Sequence, residues 1–291
     1  MHNLSLAPHL ARASLPICVT LTLKTSCDVA INTHAASIHM EQLLLEACFD
    51  GDEQKVKSLL DKRTSVDVIY QGKRLLWAAC VRGHAVCTQL LLDANASVDM
   101  VDIGDIGIDE ALWAACTNGH TDCTQILLMK GASVDHTFQG VGLLWNPCVN
   151  GDAVCLQLLL NAKASVDIGN GEITPLFAAC GKGYDDCARI LLFAGASVDH
   201  TFQGKSSLLI ACAQGHAECT QLLLDAKASI DFDNGQMTPL YAACARNHMK
   251  CAQMLASFSA NLRPTHENLF VGLCHDRMRT FLGEDAVRCS S

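Results

Sequence analysis

The sequence predicts an all-α repeat solenoid, built of stacked helix-turn-helix units joined by β-turn fingers. Three observations predict it. Seven cysteines, Cys48, Cys80, Cys116, Cys148, Cys180, Cys212 and Cys244, recur at intervals of 32, 36, 32, 32, 32 and 32 residues. A second series, Cys87, Cys123, Cys155, Cys187, Cys219 and Cys251, follows its partner by seven each time. The octapeptide SVDHTFQG is written twice, at 133–140 and 197–204. A period of this length marks an array in which each unit buries its apolar face against the next.

The elements of a unit follow in order. A first helix runs through segments such as LLWAAC at 75–80 and PLFAAC at 175–180. It ends at a Gly-His or Gly-Asp pair (Gly83-His84, Gly119-His120, Gly151-Asp152, Gly215-His216), because glycine accepts the left-handed conformation that stops a helix. The histidine at this turn is expected to cap the second helix. That helix carries the second cysteine and then Leu-Leu-Leu, apolar at helical spacing. Neither helix is long enough to hold in water alone.

TPLFAAC at 174–180 and TPLYAAC at 238–244, followed by the glycine turn, the leucines and Gly/Lys-Ala-Ser-Val/Ile-Asp, resemble the ankyrin repeat. The resemblance covers about residues 41–263 in roughly seven units. It implies a β-turn finger between successive helix pairs, and SVDHTFQG falls at that finger. ILLMKGASVDHTFQG at 126–140 matches ILLFAGASVDHTFQG at 190–204, and DIGNGEITPL matches DFDNGQMTPL, so a pair of repeats is duplicated and alternate fingers differ in kind.

The chain departs from the family pattern in three places. Trp77, Trp113, Trp145, Phe177, Leu209 and Tyr241 replace the usual histidine, so large apolar groups are expected to pack there. Asn146-Pro147 replaces Ala-Ala, which predicts a shortened or kinked helix and looser packing in the middle than at 174–260. The interval of 36 holds extra residues in MVDIGDIGIDEAL. Its Asp102, Asp105, Asp109 and Glu110 do not have the alternation of a calcium loop and read as a solvated acidic loop.

Around the array, residues 1–40 are expected to be a disordered leader and 264–291 a capping half-repeat with a tail. The first 27 residues contain no acid and are weakly similar to an organelle-targeting segment. The apolar run at 15–23 is too short to span a bilayer, so no membrane insertion is expected. A formal charge of −9 argues against a nucleic-acid partner. A monomer in the cytoplasm or nucleus is expected.

Seventeen cysteines and twelve histidines invite a zinc or catalytic reading. Zinc pairs are spaced by about two to five residues, whereas here the spacing is seven, repeated in six units. Cysteine therefore reads as a small core residue. Equivalent thiols in neighbouring units lie too far apart for a disulfide, while Cys80 and Cys87 of one unit come nearer. No phosphate loop or hydrolase motif is present. No metal, no cofactor and no enzymatic activity are expected.

The resemblance implies another protein as ligand, bound on the concave face and fingers. The finger positions are Tyr70, Gln71, Lys73, Phe138, Gln139, Phe202, Gln203, Lys205, Asn234 and Met237. The inner helices add Arg82, Asn118, Asn150, Lys182, Gln214 and Arg246. The cations among them are opposed mainly by Asp109, while Asp93, Asp122, Asp185, Asp186, Glu218 and Asp225 map to the second helices. An acidic, extended segment is the expected partner of an otherwise non-enzymatic scaffold. The alternative is a substrate adaptor of a ubiquitin ligase, because LCHDRMRTFLG at 273–283 is faintly similar to the helix of a SOCS box, with Met278 for isoleucine.

Overall fold

The 32-residue period folds into helix pairs, seen in a computed structural model that describes residues 38–62, 66, 69–70, 73–96, 110–138, 140–230 and 238–260. The first pair is α1 (38–50) and α2 (Glu53–Leu60). Then come α3 (Leu75–Arg82) with α4 (Ala85–Asp93), α5 (Glu110–Thr117) with α6 (Thr121–Met129), and α7 (Trp145–Asn150) with α8 (Ala153–Asn161). The last three pairs are α9 (Pro175–Lys182) with α10 (Asp185–Phe193), α11 (Ser207–Gln214) with α12 (Ala217–Asp225), and α13 (Pro239–Ala245) with α14 (Met249–Ala260). From α3 onward the odd helices pack on one another in sequence order to form an inner layer, and the even helices form an outer layer. Residues 1–37 of the leader, 97–109 of the long acidic finger and 261–291 with the SOCS-box-like stretch lie outside the described residues, while 38–40 belong to α1 and Glu110 opens α5.

Helices of eight or nine residues hold only because each buries a stripe against its neighbours. Leu91, Leu127, Leu159, Leu191 and Leu223 occupy one position of successive outer helices and are all fully buried. Each contributes about 1.5–3 kcal/mol by leaving water. The two cysteine series are buried beside them, and every described cysteine is a free thiol. Their contacts are polar as well as steric. The Thr88 hydroxyl donates to the His84 carbonyl and meets Cys80 Sγ at 3.5 Å and Cys123 Sγ of the next unit at 3.6 Å. Thr220 repeats the arrangement between Cys212 and Cys251. The thiol facing Cys80 is thus that of the next unit rather than Cys87.

The turn histidines do not cap the second helix. His84, His120 and His216 occupy the N-cap positions of α4, α6 and α12 with no side-chain hydrogen bond to the helix start. Their rings reach back to the preceding unit instead. His84 Nε2 lies 3.0 Å from the Phe49 carbonyl and His120 Nε2 3.3 Å from that of Val81. Each ring occupies the space where a Cβ on the preceding turn glycine would stand: Gly51 for His84, Gly83 for His120, Gly183 for His216. Asp152, which replaces histidine in unit 4, does cap its helix, accepting from Cys155 N–H at 2.9 Å.

Three fingers are two-stranded antiparallel hairpins: β1 (Ile69–Tyr70) with β2 (Lys73–Arg74), β3 (Thr137–Phe138) with β4 (Val141–Gly142), and β5 (Thr201–Phe202) with β6 (Lys205–Ser206). The finger at 168–173 is of the other kind, with isolated bridges Asn170↔Ile173 and Val141↔Asn170. Among the described fingers, the difference in the text is thus a difference in backbone. The Ser-Val-Asp motif staples units together: the Asp135, Asp167 and Asp199 carboxylates accept from the backbone N–H of Ser165, Ser197 and Ser229, thirty residues on, at 2.8, 3.0 and 2.8 Å.

Pro147 has its expected consequence. Leu143 and Leu144 form a turn, and α7 has six residues where its counterparts have seven or eight. The α5–α7 junction is the sparsest in the inner layer. Asn146 partly compensates by donating to Thr117 Oγ1 at 2.7 Å.

The thiol contacts separate two otherwise equivalent substitutions. Ser in place of Cys212 keeps Thr220 as a partner, whereas Ala188 stands at the matching position beside Cys180. Cys180→Ser should lose about 1–3 kcal/mol as a poorly satisfied buried hydroxyl. Cys212→Ser should lose visibly less. Urea unfolding of the two proteins measures the difference, and equal midpoints would contradict the pairing.

Candidate partner-binding face

The inner helices end in a row of polar residues, each just before the turn. Arg82, Asn150, Lys182 and Gln214 close α3, α7, α9 and α11, while Asn118 and Arg246 follow α5 and α13. All six are exposed because they stand at the solvent end of a helix whose other face is packed. The structure divides them. Asn118 donates to the Ala114 carbonyl at 2.7 Å, Asn150 to that of Thr117 at 3.1 Å, and Arg246 Nη1 to that of Ala213 at 3.0 Å. These three tie inner-layer carbonyls, two of them across a junction. Arg82, Lys182 and Gln214 make no hydrogen bond or ion pair with any described residue, and so remain available.

The fingers present the remaining positions. Tyr70 pairs with Lys73 across the first hairpin, and Phe202 with Lys205 across the third. Gln203 turns that hairpin with φ of +49°, exposed. Gln71, Gln139, Asn234 and Met237 lie outside the described residues. Phe138 and Phe202 are half-buried because they fold back on inner-helix rings. Phe138 lies 5.4 Å from Trp113 between centroids, and Phe202 6.0 Å edge-on from Phe177. Phe49 meets Trp77 in the same manner at 5.7 Å. Trp113 and Phe177, two of the residues that replace the family histidine, thus support the finger aromatic that follows their helix pair. The sequence had assigned the two sets to different tasks; only their juxtaposition makes one half-exposed aromatic surface.

The charge is separated by layer. From α3 to α13 the inner helices carry Arg82 and Lys182, joined by Arg246 at the end of α13, against one acid, Glu110. From α4 to α12 the outer helices carry Asp93, Asp122, Asp185, Asp186, Glu218 and Asp225 against Arg189 alone. The outer acids are largely engaged: Asp93 with Lys130 and Gln89, Asp185 with Arg189, Glu218 with Lys250, Asp225 with Gln221. The lysines hold Asp93 and Glu218 below the ordinary carboxylate range.

Among the described residues no three histidine, cysteine or acidic side chains converge as metal ligands. No described helix is long and apolar enough to cross a membrane. A cleft of about 160 Å³ beside Asp135, His136 and Leu144 is smaller than ordinary ligand pockets. Burial raises most of the described thiols, while hydrogen bonds with Cys80 and Cys180 lower Cys123 and Cys219. Burial pushes Cys48 up to about 12, Cys212 to about 12 despite the Thr220 hydrogen bond, and Cys187 to about 11 with Asp152, Asp186 and Asp185 adding to burial. Neutral thiols are poor nucleophiles and poor ligands.

Two measurements check this face. A thiol whose folded value is raised adds stability below its unfolded value, and that stability is lost as pH rises through the folded one. Unfolding free energy should thus fall from about pH 9 toward pH 12, less steeply in a Cys48→Ala/Cys212→Ala protein. Lys182→Ala should leave the melting temperature unchanged. Arg246→Ala, which loses the Ala213 carbonyl, should cost about 1 kcal/mol.

Residues 44–138 and 195–266 match the family description "Ankyrin repeats (3 copies)", and residues 172–201 match "Ankyrin repeat". The unmatched interval contains α7 and α8, where proline and asparagine replace the usual alanines. Curated proteins include no match. Among solved structures, the crystal structure of the human ASB11 ankyrin repeat domain is similar, with 28% identity and a TM-score of 0.63, over 74% of this chain and 96% of that one.

Proposed function

The chain belongs to the ankyrin-repeat family, and on that footing we propose that it is a non-enzymatic scaffold holding a partner protein along its inner-helix face and fingers. Ankyrin repeats are a protein-interaction module, and the solved relative aligns over nearly its whole length. The observation that carries the reading is the separation of charge over aromatic surface. Arg82, Lys182 and Lys205 have no hydrogen bond or ion pair among the described residues and stand beside the half-buried Trp77, Trp113, Trp145, Phe177 and Tyr241, while the inner helices carry one acid, Glu110, against six on the outer helices α4 to α12. Aromatics with arginine are the residue types that carry most binding energy at interfaces.

The fitting partner is an acidic, extended segment. Phe138 and Phe202 are two units apart, about 20 Å at 8–10 Å per packed helix. An extended chain covers that in about six residues. Carboxylates between its anchors would meet Lys182 and Lys205. Free thiols at every described cysteine fit a reducing compartment, the cytoplasm or nucleus. The adaptor reading rests on the likeness at 273–283 alone; it requires that removing 264–291 abolish recruitment of a ligase while leaving partner binding intact.

Affinity capture with the full chain, compared with Phe138→Ala, Phe202→Ala and Lys182→Glu/Lys205→Glu, tests the proposal. The charge reversal should slow association and weaken its salt dependence, and the ring deletions should speed dissociation. Since each phenylalanine also supports a neighbouring ring, thermal melts must accompany the binding data. Should all three folded variants bind as the parent does, the partner uses another face.

A further inference from the structure

Among the described helix pairs, all junctions but one are built alike. A ring from the later unit fills the space at the turn glycine of the earlier one: His84 at Gly51, His120 at Gly83, Tyr184 at Gly151, His216 at Gly183 and His248 at Gly215. The junction between the α5–α6 pair and the α7–α8 pair has no such ring. Gly119 faces Asp152 there, and a Cβ on the glycine would stand 3.5 Å from Asp152 Oδ2, an ordinary contact. The inner helix α7 is also cut to six residues, because Pro147 has no N–H to give to a carbonyl one turn back. Leu143 and Leu144, which a longer helix would take in, instead line the cleft of about 160 Å³.

The two sides of this junction are held by different forces. On the outer side α6 and α8 pack as closely as the other outer neighbours do. Leu127 and Leu159 are fully buried there, Thr124 Oγ1 lies 3.7 Å from Cys116 Sγ, and the Cys116 thiol is hydrogen-bonded to that of Cys155 across the junction. The Asp135 carboxylate, in the segment that follows α6, holds Ser165 N–H of the next unit. On the inner side, where packing is thin, exposed polar bonds take over: Asn146 to Thr117 Oγ1 at 2.7 Å and Asn150 to the Thr117 carbonyl at 3.1 Å. Such bonds exchange with water at little cost, whereas parting buried leucines forfeits their burial. The inner side therefore opens first, and the outer side is the pivot.

We propose that this junction is a joint in the array: α5 and α7 part and close about the intact α6–α8 contact, while the ring-filled junctions stay rigid. It is a hinge whose moving parts are packed helices. Its consequence rests on the partner-binding face proposed above, because that face crosses the joint. Arg82 and Trp113 lie on one side, and Lys182, Phe177 and Phe202 on the other. The β3–β4 hairpin goes with the later side, since Gly142 N–H donates to the Gly169 carbonyl at 2.6 Å and Gly171 N–H to that of Gly140 at 3.4 Å. It meets α5 through the Phe138 ring on Trp113. Opening the joint lengthens the span from Arg82 to Lys182 and draws Trp113 away from Phe138. A partner that grips both sides selects the closed array.

Two measurements on the full chain test the joint, both without a partner, so failure of the partner-binding reading leaves their outcome standing. Spin labels on azide-bearing residues at the exposed positions 82 and 182 leave the native cysteines untouched, and electron–electron double resonance reads the span between them. Hydrogen exchange reads the helices. The parent should give a broad distance distribution. Its α7 amides should exchange at least about tenfold faster than those of α9 or α11, while α8 stays as slow as α6 and α10. Pro147→Ala/Asp152→His gives this junction the residue types of its neighbours, at the loss of the Asp152 cap, and should narrow the distribution and slow α7. Asn146→Ala, at an exposed position, should widen the distribution and leave α8 unchanged; it decides the matter alone if the double variant folds poorly. A parent distribution as narrow as that of the double variant overturns the joint. So does fast exchange in α8, which would mean that the unit melts as a whole, and so does an Asn146→Ala protein indistinguishable from the parent. Fraying of α7 by itself would speed exchange without moving the span, and that result overturns the joint too.

Discussion

A missing Cβ sets the spacing of this array. At the turn glycines Gly51, Gly83, Gly183 and Gly215 a side chain would collide with the ring of the histidine one unit on. Any larger residue would have to push the next unit away, besides meeting a backbone held at φ of +73° to +80°. Because the ring settles there, the nitrogens of His84 and His120 reach a carbonyl of the previous unit, and the leucines and thiols of successive helices come into register behind them. Gly151 meets Tyr184 in the same way. The exception is Gly119, which faces the short Asp152 and has room to spare; this is also the junction where α7 is cut short.

The buried polar groups follow from that registration. A cysteine on an inner helix and one on the next outer helix converge on a threonine that is itself bonded to the turn carbonyl, so a thiol serves as both filler and weak hydrogen-bond donor. A serine or valine would meet only one of those requirements. Burial pushes thiols such as Cys48 and Cys212 up, so that they serve as inert core residues.

Duplication of a pair of units rather than a single one leaves its mark on both layers. On the inner side it yields alternate hairpins, with Phe138 and Phe202 propped by Trp113 and Phe177. On the outer side it yields alternate apolar residues, Met129 and Phe193, in a row that is otherwise polar. Units with a polar residue at that place close a glutamine hydrogen bond within their own helix, so the alternation decides where the outer surface is satisfied and where it is open.

The period, the helix pairs, the buried cysteines, the finger positions and the weak helix at Pro147 were all legible in the sequence. Each depends on local chemistry repeated at fixed spacing: a glycine ends a helix and a proline shortens one wherever they stand. The face bearing Arg82, Lys182 and Lys205 was legible for the same reason, since the repeat places equivalent residues on equivalent surfaces. What the tertiary structure alone decided is which of those residues are free. Arg246 and Asn150 resemble Lys182 and Gln214 in sequence, yet the first two reach carbonyls of the preceding unit and the others do not. The turn histidines, placed where a cap would sit, turn away from their own helix because the previous glycine leaves a space and an acceptor within reach. These outcomes depend on distances between units some thirty residues apart, and no local propensity encodes such a distance.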